Sequence, residues 1–289
     1  MRPGPLHKIE VACMKAEQLA IHSLSTAHRN LEEALDAYSA AGFRYVEPYL
    51  PLVKAWIEDG HTVDETRELF DARDLQLIVS SELAVECFHA SDVLLPNLRA
   101  NAENARLISE LGGGAMIVHT DGPEQVTAES LDSIARAFLD LAEATEDTGV
   151  DIAVEFNASP VIKSLQSAVR MAQKADHPRV GVLFDTAHYH VTPTKLSDIN
   201  EGSVRWIKHV HLNDMPDTPA DLTHRDFDRV LPGEGVLDLP EIISALEDGS
   251  YEGYFSIEMF SAELWELPTK EAARRCYESL LPLCEGEGG

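Results

Sequence analysis

Four residues of this chain carry side chains suited to holding a divalent cation, and each lies at the edge of an apolar run. Glu155 closes Ile152-Ala153-Val154 ahead of Phe156-Asn157, and Glu258 follows Phe255-Ser256-Ile257 ahead of Met259-Phe260. Asp185 follows Leu183-Phe184 and opens Thr186-Ala187-His188-Tyr189-His190, while His211 sits in Lys208-His209-Val210-His211-Leu212-Asn213-Asp214. Burying a carboxylate in such a segment is costly unless it is paired or bound to a metal. Hard oxygen donors suit Mn2+ or Mg2+, and the imidazole also admits Co2+ or Zn2+. The expectation is one divalent ion, Mn2+ first among these, held by Glu155, Asp185, His211 and Glu258. His209 is assigned to the strand face opposite His211 and to a structural role.

A fold that brings the four together must gather strand ends. Short apolar runs recur every thirty to forty residues, giving expected strands at 9–13, 45–47, 75–80, 115–119, 151–156, 180–184, 207–212 and 253–259. Amphipathic helical patterns lie between them, at 31–41, 63–73, 97–111, 130–148 and 163–175. Glycines after helical runs, in Ala41-Gly42-Phe43 and Leu111-Gly112-Gly113, mark helix ends. Alternating strands and helices imply parallel strands joined by crossover helices. Eight such units favour one (β/α)8 barrel spanning 1–289 over an open sheet. No G-x-G-x-x-G follows the first strand, and Gly112-Gly113-Gly114 after a helix reads as a turn. In such a barrel the chemistry gathers at the C-terminal strand ends, here Glu47, Ser80-Ser81-Glu82, His119-Thr120-Asp121, Glu155, Asp185, His211 and Glu258.

Charge narrows the partners. Lys and Arg total 23 against 50 Asp and Glu, a formal net charge of −27, which repels phosphate backbones and anionic membrane surfaces. Nucleic acid and membrane are therefore not expected partners. Cys13, Cys87, Cys276 and Cys284 are scattered without zinc or disulfide spacing. The start lacks a signal-type apolar region and no run approaches a membrane span, so a soluble cytoplasmic protein is expected. Within 226–238, Pro232-Gly233-Glu234-Gly235 has the chemistry of a tight turn, and Asp238 suits a helix cap. Arg229 beside it would place a fixed guanidinium near the metal set, suited to a substrate oxygen.

At these residues the chain resembles the xylose-isomerase-like barrel superfamily of sugar isomerases, ketose 3-epimerases, inosose isomerases and dehydratases, and apurinic endonucleases. The likeness rests on Asp185-Thr-Ala-His188-Tyr-His190, then His211-Leu-Asn-Asp214, then Asp228-Arg229-x-x-Pro-Gly-x-Gly-x-x-Asp238, closing with Ser256-Ile-Glu258-Met-Phe. That order looks most like the bacterial inosose isomerases. The resemblance implies that Glu155, Asp185, His211 and Glu258 bind metal and that Glu155 and Glu258 also transfer protons on opposite sides of the substrate. His188 and Arg229 are implied to contact substrate oxygens, and Glu47 and His119 are placed with them as substrate-binding strand-end groups. The substrate would be a polyhydroxylated ketone, its α-proton removed beside a chelated carbonyl with the charge stabilised as an enediolate.

Departures weaken the nuclease alternative: Asp226-Phe227-Asp228 stands where an Asp-x-His is sought, and strand three ends in Ser80-Ser81-Glu82 without a histidine. A lyase on the same scaffold remains the nearest rival, since the same proton removal can expel a β-substituent. Dehydratases of inosose or dehydroshikimate and deglycosidases of 3-keto C-glycosides are the examples. A non-catalytic sugar-binding barrel is the third reading. Loops at 50–60 and 86–96, with Trp56 and Phe88, would shape specificity. The last helix, 269–284, and Trp265 before it would pack on the barrel, or on a second subunit in a homo-oligomer.

Overall fold

The computed structural model describes residues 14–27, 30–220, 222 and 226–284. The strand expected at 9–13 lies outside them. The first barrel strand is Leu19–His22 (β1), followed by α1 (Leu31–Ala41), β2 (Tyr45–Glu47), α2 (Leu50–Glu58), α3 (Val63–Asp71), β3 (Gln76–Leu77), β4 (Val79–Ser81) and α4 (Ser91–Glu110). Then come β5 (Ala115–Val118), α5 (Ser130–Ala144), β6 (Asp151–Glu155), α6 (Leu165–Ala175), β7 (Val180–Asp185), α7 (Thr186–Val191), α8 (Glu201–Val204) and β8 (Ile207–Leu212). The chain continues through α9 (Leu239–Asp248), β9 (Phe255–Ile257), α10 (Ala262–Glu266) and α11 (Thr269–Leu280).

All strand pairs are parallel, in the order β3-β2-β1-β9-β8-β7-β6-β5-β4. The two ends of this order, β3 and β4, are halves of one stave separated by Ile78. Its N–H donates to Val46 O at 3.1 Å, and its carbonyl accepts from Gly114 N at 2.8 Å. Ile78 thus bonds to the neighbours on both sides, and the sheet closes into an eight-staved barrel whose third stave is broken. The expected (β/α)8 architecture stands, with the single strand at 75–80 replaced by this pair.

Side chains alternate across a strand, so the barrel interior can be followed two residues at a time. Ala20, Ile117, Ala153 and Leu183 form an apolar inner cluster with Ile78, flanked by Tyr45 and Tyr254. One step further along their strands stand His22, Glu155, Asp185 and Glu47. The interior is therefore apolar towards the N-terminal end and polar at the C-terminal end. A larger apolar core, with Phe138, Phe156, Phe184 and Phe255 fully buried, joins the outer faces of the staves to the helices.

Local signals fix the element ends. Asn30 caps α1 by accepting from Glu33 N at 2.8 Å, and Thr62 with Glu65 forms a capping box on α3. Gly42 ends α1 at φ 112°, a left-handed backbone where a side chain would also meet the Tyr277 ring. Two expected loops are partly helical: 50–60 contains α2, and α4 begins at Ser91 and runs through Pro96. The helix expected over 130–148 ends at Ala144, with a short 3-10 turn behind it. Cys276 and Leu280 of α11 are buried, and Trp265 donates from Nε1 to Leu24 O at 2.8 Å, so both pack on the barrel. Among the described residues no helix is long and apolar enough to cross a membrane.

Candidate metal and acid-base site

Donor atoms of Glu155, Asp185, His211 and Glu258 all lie within 4.8 Å of one another. β6 and β7 end on the first two, β8 carries His211 opposite Asp185 in register, and Glu258 follows β9 with its N–H donating to Leu212 O. All four are buried, Asp185 completely. Asp185 also begins α7, its Oδ1 accepting from Ala187 N at 2.7 Å and His188 N at 3.1 Å. Asn213 Nδ2 donates to both Asp185 oxygens and to the Glu258 carbonyl, while Thr186 Oγ1 donates to Asn213 Oδ1. The carboxylate is thus held from two strands.

Arg229 is buried against the same cluster. Its Nη2 lies 3.2 Å from Asp185 Oδ2, its Nη1 2.5 Å from Glu258 Oε2, and its guanidinium sits over the Phe260 ring. Asp214 sets this position. Its carboxylate accepts backbone N–H groups of Met215, Gly233, Gly235 and Leu237, and Asp214 pairs antiparallel with Val230, the residue after Arg229. The Pro-Gly-Glu-Gly turn is therefore clasped to the end of β8, and Asp238 caps α9 as expected.

Two expectations change here. Residues two apart share a strand face, so His209 does not point away from His211: each donates from Nε2 to Glu47 Oε2, at 3.0 and 2.9 Å. Glu47, expected to touch substrate, is fully buried in this contact and does not line the cavity. His22, which sequence reading missed together with its strand, lies 3.7 Å from both Glu47 and Glu258.

Above the cluster opens a cavity of about 430 Å³. Glu155, Glu258, His119, His188 and Arg229 reach it, with Tyr49, Glu82 and Phe260 among its walls. Glu155 lies between two histidines, Oε2 at 3.1 Å from His119 Nδ1 and Oε1 at 3.5 Å from His188 Nε2. Trp56 and Phe88 do not line the cavity. Trp56 stacks on His61 with ring centroids 3.6 Å apart, and Phe88 packs against the core.

Burial opposes ionisation of every carboxylate in the cluster, yet cationic neighbours win. His211 and Arg229 hold Glu258 well below the usual carboxylate range; His188 and His119 lower Glu155; Arg229 and His188 lower Asp185. Burial likewise opposes the charged form of His188, but Glu155 and Asp185 push it up to about 9. Against its own burial His211 is raised by Glu47 and Glu258, whereas burial keeps His22 and His209 below their ordinary values.

The donor set fits a divalent cation. Three buried carboxylates face one buried guanidinium, and the rest of their charge is met by protons held on His211 and His188. His211 Nδ1 is buried without a hydrogen-bond partner, 3.2 Å from Glu258 Oε2 and 3.7 Å from Asp185 Oδ2. With no cation present a proton at this nitrogen meets the neighbouring carboxylates; a cation would take its place.

A parallel eight-staved barrel with acidic and imidazole groups gathered at its C-terminal mouth defines the architectural class. A family model described as xylose isomerase-like TIM barrel matches residues 35–279, and the chain belongs to that family. It is 24% identical over 253 residues to an inosose isomerase of Halalkalibacterium halodurans, covering 85% of this chain and 88% of the relative. An inosose dehydratase of Clostridium perfringens is 24% identical over 148 residues, 48% of this chain and 50% of the relative. Among solved structures, the IOLI protein with a bound zinc atom superposes with a TM-score of 0.84 at 21% identity, covering 92% of this chain and 97% of that one. The relatives support an enzyme of this family, a sugar-acting isomerase or lyase.

Proposed function

We propose that the chain is a divalent-metal-dependent isomerase or epimerase of a keto-inositol or ketose-type sugar. The observation that carries this reading is the convergence of Glu155, Asp185, His211 and Glu258 within 4.8 Å beneath a cavity that two of the glutamates reach. These four would hold the ion, assigned first as Mn2+; the zinc of the IOLI protein makes Zn2+ the leading alternative, with Mg2+ and Co2+ behind it. When bound, the ion supplies Lewis acidity beside the ketone and its neighbouring hydroxyl.

The chain's own groups do the rest. Glu155, between His119 and His188, takes the α-proton, and Glu258, braced by Arg229 and open to the cavity, relays one from solvent to the neighbouring carbon or the other face. His188, His119 and Arg229 hold substrate oxygens. Elimination is the second reading, favoured by the dehydratase relative; it needs the same proton removal and differs in where the electrons go.

Both readings are tested by incubating the Mn2+-loaded protein in D2O with keto-inositols, ketohexoses, dehydroshikimate and 3-keto-glycosides. Solvent deuterium in an isomerised product supports isomerisation, and an unsaturated or cleaved product selects the lyase. A protein that binds no divalent metal and is not activated by Mn2+ overturns both.

A further inference from the structure

The end of β2 holds a carboxylate that the proposed reaction does not use. Glu47 is fully buried, and its Oε2 stands 2.9 Å from His211 Nε2 and 3.0 Å from His209 Nε2. Its Oε1 has no hydrogen bond, but His22 Nε2 approaches to 3.7 Å. His22 Nδ1 accepts from Leu24 N at 3.1 Å, so in the neutral ring the proton is on Nε2, the side facing Glu47. One carboxylate therefore collects three imidazoles, from β1 and from two positions on β8.

For His211 the consequence is specific. A carboxylate oxygen only accepts, so the Nε2 contact requires a proton on Nε2. In the neutral ring that leaves the lone pair on Nδ1, the atom that faces Asp185 and Glu258. Imidazoles that ligate metals are commonly oriented in this way by a partner on the other nitrogen.

We infer that Glu47 is a positioning residue for His211, fixing the imidazole with its proton on Nε2 so that the Nδ1 lone pair is presented to the metal set. This rests on the metal-dependent reading above. Loss of the Glu47 charge frees the ring to flip or change tautomer, and the ligand is then offered in the required form only part of the time. His209 shares the carboxylate and lies close to Glu47 and His211, but it is not among the four residues assigned to the ion, so it serves as the internal control.

The test is Mn2+ affinity by titration calorimetry for the wild-type chain, Glu47→Gln and His209→Gln, with apo-protein circular dichroism recorded for each. Glu47→Gln is expected to weaken Mn2+ binding by about 10–100-fold, and His209→Gln by much less. Equal affinity of Glu47→Gln and wild type overturns the inference alone. Absence of Mn2+ binding by wild type overturns the functional reading and this inference with it. A second measurement needs no variant: long-range 1H–15N NMR of histidine-labelled, zinc-loaded wild-type protein. It should show His211 protonated at Nε2 and metal-bound at Nδ1, and the reverse arrangement refutes the assignment whatever Glu47→Gln does to folding.

Discussion

Replacing Arg229 with methionine removes the only guanidinium, among the described residues, that contacts Asp185 and Glu258. The side chain is 4% exposed, and its contact with Asp185 is at 3.2 Å. At an effective dielectric of about 20, a pair at that distance is worth about 5 kcal/mol of Coulomb attraction. The Glu258 contact adds to this, and the variant no longer pays for desolvating the arginine. Deleting one partner of a buried ion pair costs about 3–5 kcal/mol, because the other charge is left buried and unpaired. The expected loss in the metal-free protein is in that range. A divalent ion neutralises the same two carboxylates, so Arg229→Met should gain more stability from Mn2+ than wild type does. Urea unfolding with a chelator and with saturating Mn2+ measures both quantities. A loss below about 1 kcal/mol in chelator, the value of an exposed pair, would mean that the cluster is not desolvated. An equal Mn2+ gain in both proteins would mean that the ion does not sit on Asp185 and Glu258.

Glu155→Gln and Glu258→Gln should each lower turnover by at least about 100-fold at saturating Mn2+; full activity in a steady-state assay of either would remove its acid-base role. Asp214→Asn keeps the shape of the clasp but halves its acceptors, and the freed 230–237 turn should raise KM through a displaced Arg229, read from initial rates. At Gly235 an added Cβ would lie 2.3 Å from Asp214 Oδ1 and from Met215 O, so Gly235→Ala should destabilise by about 1–3 kcal/mol in thermal or urea unfolding. His188 has a folded pKa of about 9, above its unfolded value of 6.5. Its contribution is therefore complete below pH 6.5 and disappears as pH rises through 9, on the order of 3 kcal/mol. The metal-free wild type should lose stability over that window, and His188→Gln should lose distinctly less.

The parts of this site that sequence exposes are those with a periodic signature. Ile207–Leu212 reads as a strand because its β-branched residues and its boundaries agree, and β8 occupies those residues. Asp185, Glu155 and Glu258 stand out because a carboxylate at the end of an apolar run needs a compensating partner. Leu19–His22 carries only one β-branched residue in a four-residue run. Propensity passes over that strand, and His22 at its end with it. Tertiary pairing, not propensity, defines this stave: its backbone lies between β2 and β9, and Gln18 beside it donates to Gly253 O at 2.7 Å.

Glu47 shows a different limit. Its strand is legible, and its place at a C-terminal strand end suggests a group facing substrate. What decides its role is the distance across the barrel to β8, which no local pattern encodes. The error over His209 has the same root in reverse, because strict alternation places residues 209 and 211 on one face. Applied consistently, that rule brings both imidazoles into the barrel, and only one of them can also reach Asp185 in the adjacent register. A carboxylate between two inward histidines would then be sought on a facing strand. Glu47, paired in register with His22 at the ends of β1 and β2, is where the barrel supplies it, which makes the imidazole hub a property of closure and not of any one segment.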